Sequence, residues 1–292
     1  MRLLNSIALG MLLITGASQA AVNDALPADY FPPEVGTSTF AIYAFNRQSI
    51  GPYKNGQKQI DGTVNTYISV VRISHIVSVA GHPVALMGVL PWSQSSVDPA
   101  PLAKALGQDA SGLGDVRMGA TGWLINNRDS GEYIGITGLV FLPNGAYTAN
   151  QILNAGENRY KYTLNAGWIH PLNRSFVLEV LPEVAWYGDN TNYLGGRTLS
   201  QKPTYALTSY LRYRATPSWQ FHLGAQINQG GETRINGVDQ SNPPDNNRLM
   251  LGTTYLTDDK KGQWILRIAK DTEVKNGFAT ESEIMLRYLT AF

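Results

Sequence analysis

The four histidines, His75, His82, His170 and His222, are the first residues to test for catalysis or metal binding. A structural or catalytic zinc site needs ligands at set spacing, and no two of these histidines fall at one. The loop acids Asp239 and Asp245 do not match a calcium-loop pattern. No Gly-x-Ser-x-Gly elbow is present to raise a serine nucleophile. Cysteine is absent, which removes thiolate ligands, thiol nucleophiles and disulfides together. Gly112-Leu113-Gly114-Asp115 could suggest a phosphate cradle, but it precedes a strand pattern and lacks the following lysine, so it reads as a turn or kink. What remains is a set of charges at alternate positions: Glu179 and Glu183, then Arg212 and Arg214, with His222, Arg267 and Arg287 further on.

The elements that carry these charges have a period of two. Trp219, Phe221, Leu223, Ala225 and Ile227 alternate with Gln220, His222, Gly224, Gln226 and Asn228, one face apolar and the other polar or small. The preceding stretch repeats this, with Tyr205, Leu207, Leu211 and Tyr213 opposite Thr208, Tyr210, Arg212 and Arg214. From 37 onward, Gly, Pro, Asn and Asp divide the chain into about twelve such stretches, with 10 or 14 as alternatives. They lie near 37–47, 61–75, 82–95, 112–126, 131–143, 158–170, 173–187, 202–214, 217–229, 245–257, 261–273 and 278–292. No helix-period stretch of useful length accompanies them. Long connections at 48–60, 96–111, 144–157, 188–201 and 230–244 take turns with tight ones at 76–81, 127–130, 171–172, 215–216 and 258–260.

This rhythm predicts an all-β fold, an antiparallel transmembrane barrel with short periplasmic turns, longer outer loops and both termini in the periplasm. A soluble barrel or sandwich also alternates, but only 15% of residues are charged, too few to clothe a soluble surface. Fifteen Tyr, six Trp and a slightly polar mean hydropathy suit strands that show one face to lipid and the other to a wet lumen. Trp168, Trp186, Trp219, Trp264, Tyr160, Tyr162 and Tyr187 fall near strand ends, where amphipathic rings meet headgroups. In the last stretch Ile284, Leu286, Tyr288 and Phe292 share one face, and a terminal Phe so spaced resembles the signal read by the bacterial barrel-assembly machinery.

At the other end, Arg2, the apolar-leaning run 3–14 and Ser18-Gln19-Ala20 read as a cleavable secretory leader over 1–20. The run is too short for a membrane helix. Segment 21–36, stiffened by Pro27, Pro32 and Pro33, would hang in the periplasm or fold inside as a plug, ahead of a barrel over 37–292. The leader carries one Arg and no acid, so its removal takes the formal charge from +1 to zero, and nothing favours nucleic acid. The partners implied are outer-membrane lipids, the assembly machinery and a small solute, with neither cofactor nor metal.

Ionised groups on the lipid face cost about 2–4 kcal/mol near the midplane for Arg or Lys, so the alternating charges should point inward. There they either brace a filled lumen or line a substrate or ion path. Outer-membrane phospholipase barrels place a His and a Ser two residues apart on one strand, and no His-x-Ser occurs here.

Several short stretches occur in an order similar to that of a known group. They are Ala28-Asp29-Tyr30-Phe31-Pro32-Pro33-Glu34-Val35-Gly36, Val89-Leu90-Pro91-Trp92, Gly112-Leu113-Gly114-Asp115, and Gly138-Leu139-Val140-Phe141-Leu142-Pro143-Asn144-Gly145. In that order they resemble the outer-membrane proteins grouped under a MetA pathway of phenol degradation, from about residue 28 to the carboxyl end. The resemblance implies a barrel for uptake of small hydrophobic or aromatic compounds, and it supplies no catalytic residues. The charged, glutamine-rich lumen expected here departs from a simple apolar conduit. Two other readings stand beside it: a structural or adhesive barrel with a blocked lumen, and a lipid-modifying enzyme, which would need a Ser near His222.

Overall fold

The structure, a computed structural model, describes residues 25–107 and 109–292. The leader expected at 1–20 lies outside the described residues. Twelve strands form the barrel: β1 Ser38–Lys54, β2 Thr63–Val79, β3 His82–Asp98, β4 Arg117–Asn127, β5 Glu132–Phe141, β6 Lys161–Pro171, β7 Phe176–Tyr187, β8 Thr204–Arg214, β9 Trp219–Gly230, β10 Asn246–Leu256, β11 Gly262–Val274 and β12 Gly277–Ala291. Each pairs antiparallel with its sequence neighbour, and β12 pairs with β1 from Thr39 opposite Ala291 to Tyr53 opposite Gly277. The sheet therefore has no free edge between first and last strands, the condition for burying backbone in lipid.

All twelve stretches read from period two are strands, although several are longer than the pattern suggested. Strand β2 continues to Val79 and turns on Ala80-Gly81 alone, both with positive φ, as a two-residue hairpin requires. Strand β1 runs through the first part of what reads as the 48–60 loop.

The expected strand over 112–126 is the clearest correction. It divides in two: Ala110–Leu113 pairs with β3 at Trp92 to Ser95, and β4 pairs with β3 only from Val84 to Val89. Pro91 sits at the break. It has no N–H to donate, but its carbonyl accepts from Gly114 N at 2.9 Å, so the wall changes partner where one ladder bond cannot form.

The loop after β3 holds a seven-residue helix, α1 (Ala100–Leu106), too short to leave a helical period in the sequence. Gly107 ends it in the left-handed region, and Leu102 and Leu106 pack with Val64, Val97, Leu153 and Phe278. Val64 and Val97 belong to the buried, inward face of β2 and β3, so α1 is folded into the barrel mouth. Two other loops pair outside the wall, where Arg197–Gln201 meets both Asn190–Tyr193 and Thr233–Ile235.

The two faces separate as expected. Leu207, Leu211, Phe221, Leu223, Ile227, Leu249, Leu251, Leu266, Ile268, Ile284 and Leu286 are all exposed on the outside. Trp168, Trp219 and Trp264 ring the end near the termini, with Trp219 against Tyr255 at 4.9 Å and Trp264 against Tyr288 at 4.5 Å. Tyr160, Tyr162 and Trp186 ring the loop end, Tyr162 opposite Trp186 across β6 and β7. Tyr187 does not join them. It shares the inner parity of β7, and its hydroxyl is 2.9 Å from Thr204 Oγ1.

This partition predicts that Leu223→Arg, midway between the two aromatic rings, lowers folding stability by about 2–4 kcal/mol in phospholipid vesicles. Leu223→Ala should cost clearly less. Reversible urea unfolding of both variants measures the difference.

Candidate functional site

Alternation directs β7, β8, β11 and β12 to send charge inward, and neighbouring strands then bring opposite charges together. Arg212 donates through Nε and Nη2 to Glu179 Oε1, both at 2.7 Å, and through Nη1 to Gln220 Oε1 at 2.8 Å. Arg267 donates to Glu283 Oε1 at 2.7 Å, and Arg47 meets the other oxygen of Glu283 at 2.5 Å. Arg248 donates to Asp271 at 2.7 Å and to Thr280 Oγ1 at 2.9 Å. These groups are almost fully shielded from solvent. A carboxylate in such a place needs its guanidinium, because either charge alone would bear the full desolvation cost.

The second half of the site is the amino-terminal segment, which turns back from β1 into the lumen. Gly36 N donates to Ile76 O at 2.8 Å at the rim, and Glu34 meets Arg128 at 3.0 Å. Farther in, Arg287 donates to Asp29 Oδ1 at 2.5 Å, with Arg72 at 3.7 Å from the same oxygen. Ala28 N donates to Glu179 Oε2 at 2.9 Å, the indole of Trp123 donates to Tyr30 O at 2.9 Å, and Tyr210 donates to Ala25 O at 3.2 Å. One short segment thus touches β2, β4, β7, β8 and β12.

The wall is shaped to receive it. Gly135 of β5 lies directly opposite Gly167 of β6, and a Cβ built at Gly167 would stand 2.0 Å from the Tyr30 ring. At Gly135 the corresponding distance is 2.7 Å. The glycine pair is a slot for one aromatic ring.

Burial alone would raise the carboxyl of Asp29, but the guanidiniums of Arg287 and Arg72 and the Leu26 N–H outweigh it and hold the group below its usual range. Its ion pairs are therefore present at neutral pH and are lost only as pH falls below the ordinary aspartate value of 3.8.

The expected lumen residues divide as follows. Glu179 and Arg212 are brought together, and Arg267 and Arg287 each meet an acid that the alternation did not single out. Glu183 is inward and accepts from Asn165. Arg214 shares the inner parity of Arg212 but stands exposed, at the end of β8. His222 is buried in the lumen, its ring edge-on to Tyr210 at 5.9 Å, and so faces away from the lipid. Ile284, Leu286 and Phe292 are exposed outside, with Tyr288 on the same face. Glu283, Arg47, Arg248 and Asp271 were not anticipated, although Glu283 shares the parity of Arg287. Asp29 had no such signal, because its Pro-rich segment has no period.

Toward the loop end, a second feature opens on the inner wall. A cavity of about 60 Å³ lies between Ile68, Pro91, Phe141, Arg159 and Tyr193, roofed by the 144–157 and 190–199 segments. Arg159 donates to Glu157 at 2.6 Å and stacks 4.6 Å above the Tyr187 ring. Among the described residues no group of three or more His, Asp or Glu side chains is placed to hold a metal.

A closed antiparallel barrel with an apolar, aromatic-ringed exterior and a charged interior is an outer-membrane barrel. The family described as "Putative MetA-pathway of phenol degradation" matches residues 46–288, and the chain belongs to that family. Its structure is similar to the crystal structure of an outer membrane channel from Pseudomonas putida F1, with 25% identity, a TM-score of 0.86, and 92% of this chain and 100% of that one covered. The transport unit of the autotransporter AIDA-I from Escherichia coli shares the fold at 9% identity and a TM-score of 0.57, covering 99% and 98%. The β domain of the Bordetella autotransporter BrkA does so at 12% identity and a TM-score of 0.51, covering 87% and 99%. No curated protein sequence matches the chain.

The shared carboxylate makes a prediction. Glu283→Gln removes the buried carboxylate that Arg47 and Arg267 share and should lower stability by about 3–5 kcal/mol in urea unfolding. Arg214→Gln, at the exposed rim, should change it little.

Proposed function

We propose that the protein is an outer-membrane channel or facilitator for uptake of small hydrophobic or aromatic solutes, with residues 21–36 acting as a plug that narrows the lumen. The observation that carries this reading is how residues 25–35 are held. They occupy the lumen through scattered hydrogen bonds and ion pairs to five strands and pair with none of them as a strand, so they can shift without opening the wall. Membership of a phenol-degradation family and the likeness to an outer membrane channel point the same way.

On this reading the leader over 1–20 directs export, the terminal face ending on Phe292 serves recognition by the assembly machinery, lipids contact the apolar band, and both termini lie on the periplasmic side. The two-residue turn at Ala80-Gly81 lies at the termini end, and the longer, structured connections lie at the other, in keeping with that orientation. Glu179, Glu183, Arg212, Arg267 and Arg287 then line the path, with His222 beside them. A lumen held by the segment at one end and by α1 at the other also fits a blocked barrel that acts through its loops.

Planar-bilayer conductance and liposome swelling distinguish the two. Tyr30→Ala, and separately deletion of 25–33, should raise single-channel conductance severalfold over the wild type. The wild type itself should gain conductance as pH falls below 3.8, where the Asp29 pairs are lost, and Asp29→Asn should show that gain already at neutral pH. If every variant is as closed as the wild type and no solute crosses, the barrel is blocked and the channel reading fails.

A further inference from the structure

The cavity at the loop end holds two polar groups that the fold leaves without partners. Arg159 is 3% exposed, and its Nε and Nη2 are engaged by Glu157 and Gln201, yet its Nη1 has no hydrogen-bond partner. Tyr193 is 5% exposed, and its hydroxyl likewise has none. Both line the same cavity. An unpaired buried donor is destabilising, and two in one small cavity are a costly arrangement unless something accepts from them.

The remaining walls say what that acceptor would be. Asp115 accepts from the backbone N–H groups of Gly145 at 2.9 Å and Glu157 at 2.8 Å, and Glu157 is held by Arg159, so both acids are already engaged. Burial pushes the Tyr193 hydroxyl well above its ordinary value, with Tyr147 adding to the effect, so it stays a neutral donor. Arg117 and Lys161 lie over the Phe141 ring, each at 4.7 Å, and bring further positive charge to this wall. The apolar side chains of Ile68, Pro91 and Phe141 also line the cavity. A volume of about 60 Å³ takes a few atoms, less than a whole aromatic ring, so the polar end of a ligand enters and its apolar body rests at the mouth.

We infer that this cavity is a binding site for the anionic oxygen end of a small aromatic compound, a carboxylate or phenolate, held by Arg159 Nη1 and the Tyr193 hydroxyl. This names the substrate class for the channel reading and, as a station on a transport path, rests on it. A ligand that is only apolar would leave both donors unpaired, and a cation would meet the unpartnered N–H and O–H donors of Arg159 and Tyr193. A planar ring bearing one negative oxygen group answers both the donors and the apolar rim.

The test is calorimetric titration of the full mature chain in detergent with benzoate and with its neutral counterpart benzamide. Benzoate should bind, and benzamide at least tenfold more weakly. Tyr193→Phe removes one unpartnered oxygen and should weaken benzoate about tenfold while leaving the melting temperature without ligand unchanged or higher. Arg159→Gln should weaken it as much or more, with benzamide affinity little changed. Equal benzoate affinity in wild type and Tyr193→Phe, equal affinity for benzoate and benzamide, or no binding by the wild type each overturns the inference. Liposome swelling on the same proteins separates the two readings. Solute flux without benzoate binding sinks the site alone, and benzoate binding without any flux sinks the channel alone.

Discussion

The constraint on which everything else depends is that lipid cannot hydrogen-bond a strand edge. The first and last strands must therefore meet, and β1 and β12 do so along nearly their whole length. Within that seam Arg47 lies directly opposite Glu283, so the closing ladder carries a cross-strand ion pair on its inner face. Two irregularities in the register, after Gln48 and after Ile50, let the seam continue toward the loop end as far as Tyr53. Closure also fixes the facing of all other strands, because a shift of one residue would turn every arginine of the lumen toward lipid.

Once the charges are inside, they must find one another at close quarters. Glu283 serves two arginines, from β1 and β11, and Asp271 serves Arg248 and Thr280 N. The wall does not meet all of its own needs. Arg287 completes its set with Asp29, and Glu179 with the N–H of Ala28, so the amino-terminal segment is the counterpart of charges that strand pairing left over. Tyr30 adds shape to charge by filling the slot between Gly135 and Gly167. Specific polar contacts without a ladder hold the segment in one place.

The loop end is organised differently. Where Pro91 interrupts the wall, the chain before β4 returns to pair with β3, and the segments around it turn inward with α1 and the 144–157 loop. The interior is thus occupied from both ends by parts of the chain that are not barrel strands. Between them the wall carries its rows of arginine and carboxylate, with the small cavity at Arg159 and Tyr193 near the mouth.

The barrel was legible in the sequence because it rests on local periodicity. Alternation of Leu223 and Ile227 with His222 and Gln226, and of Arg212 with Leu211, determines which side chains meet lipid and which meet the lumen, whatever the rest of the chain does. The same parity placed Glu179 with Arg212. It could not choose partners for Arg267 or Arg287, since those depend on the register of strands closed across the whole chain and on a segment with no period of its own. Nor could it foresee that Pro91 would divide a strand, or that Arg159 and Tyr193, from two different loops, would share one cavity. Facing is a property of a strand and is written along it. The occupants of the lumen are decided by distance in space, which only the closed barrel supplies.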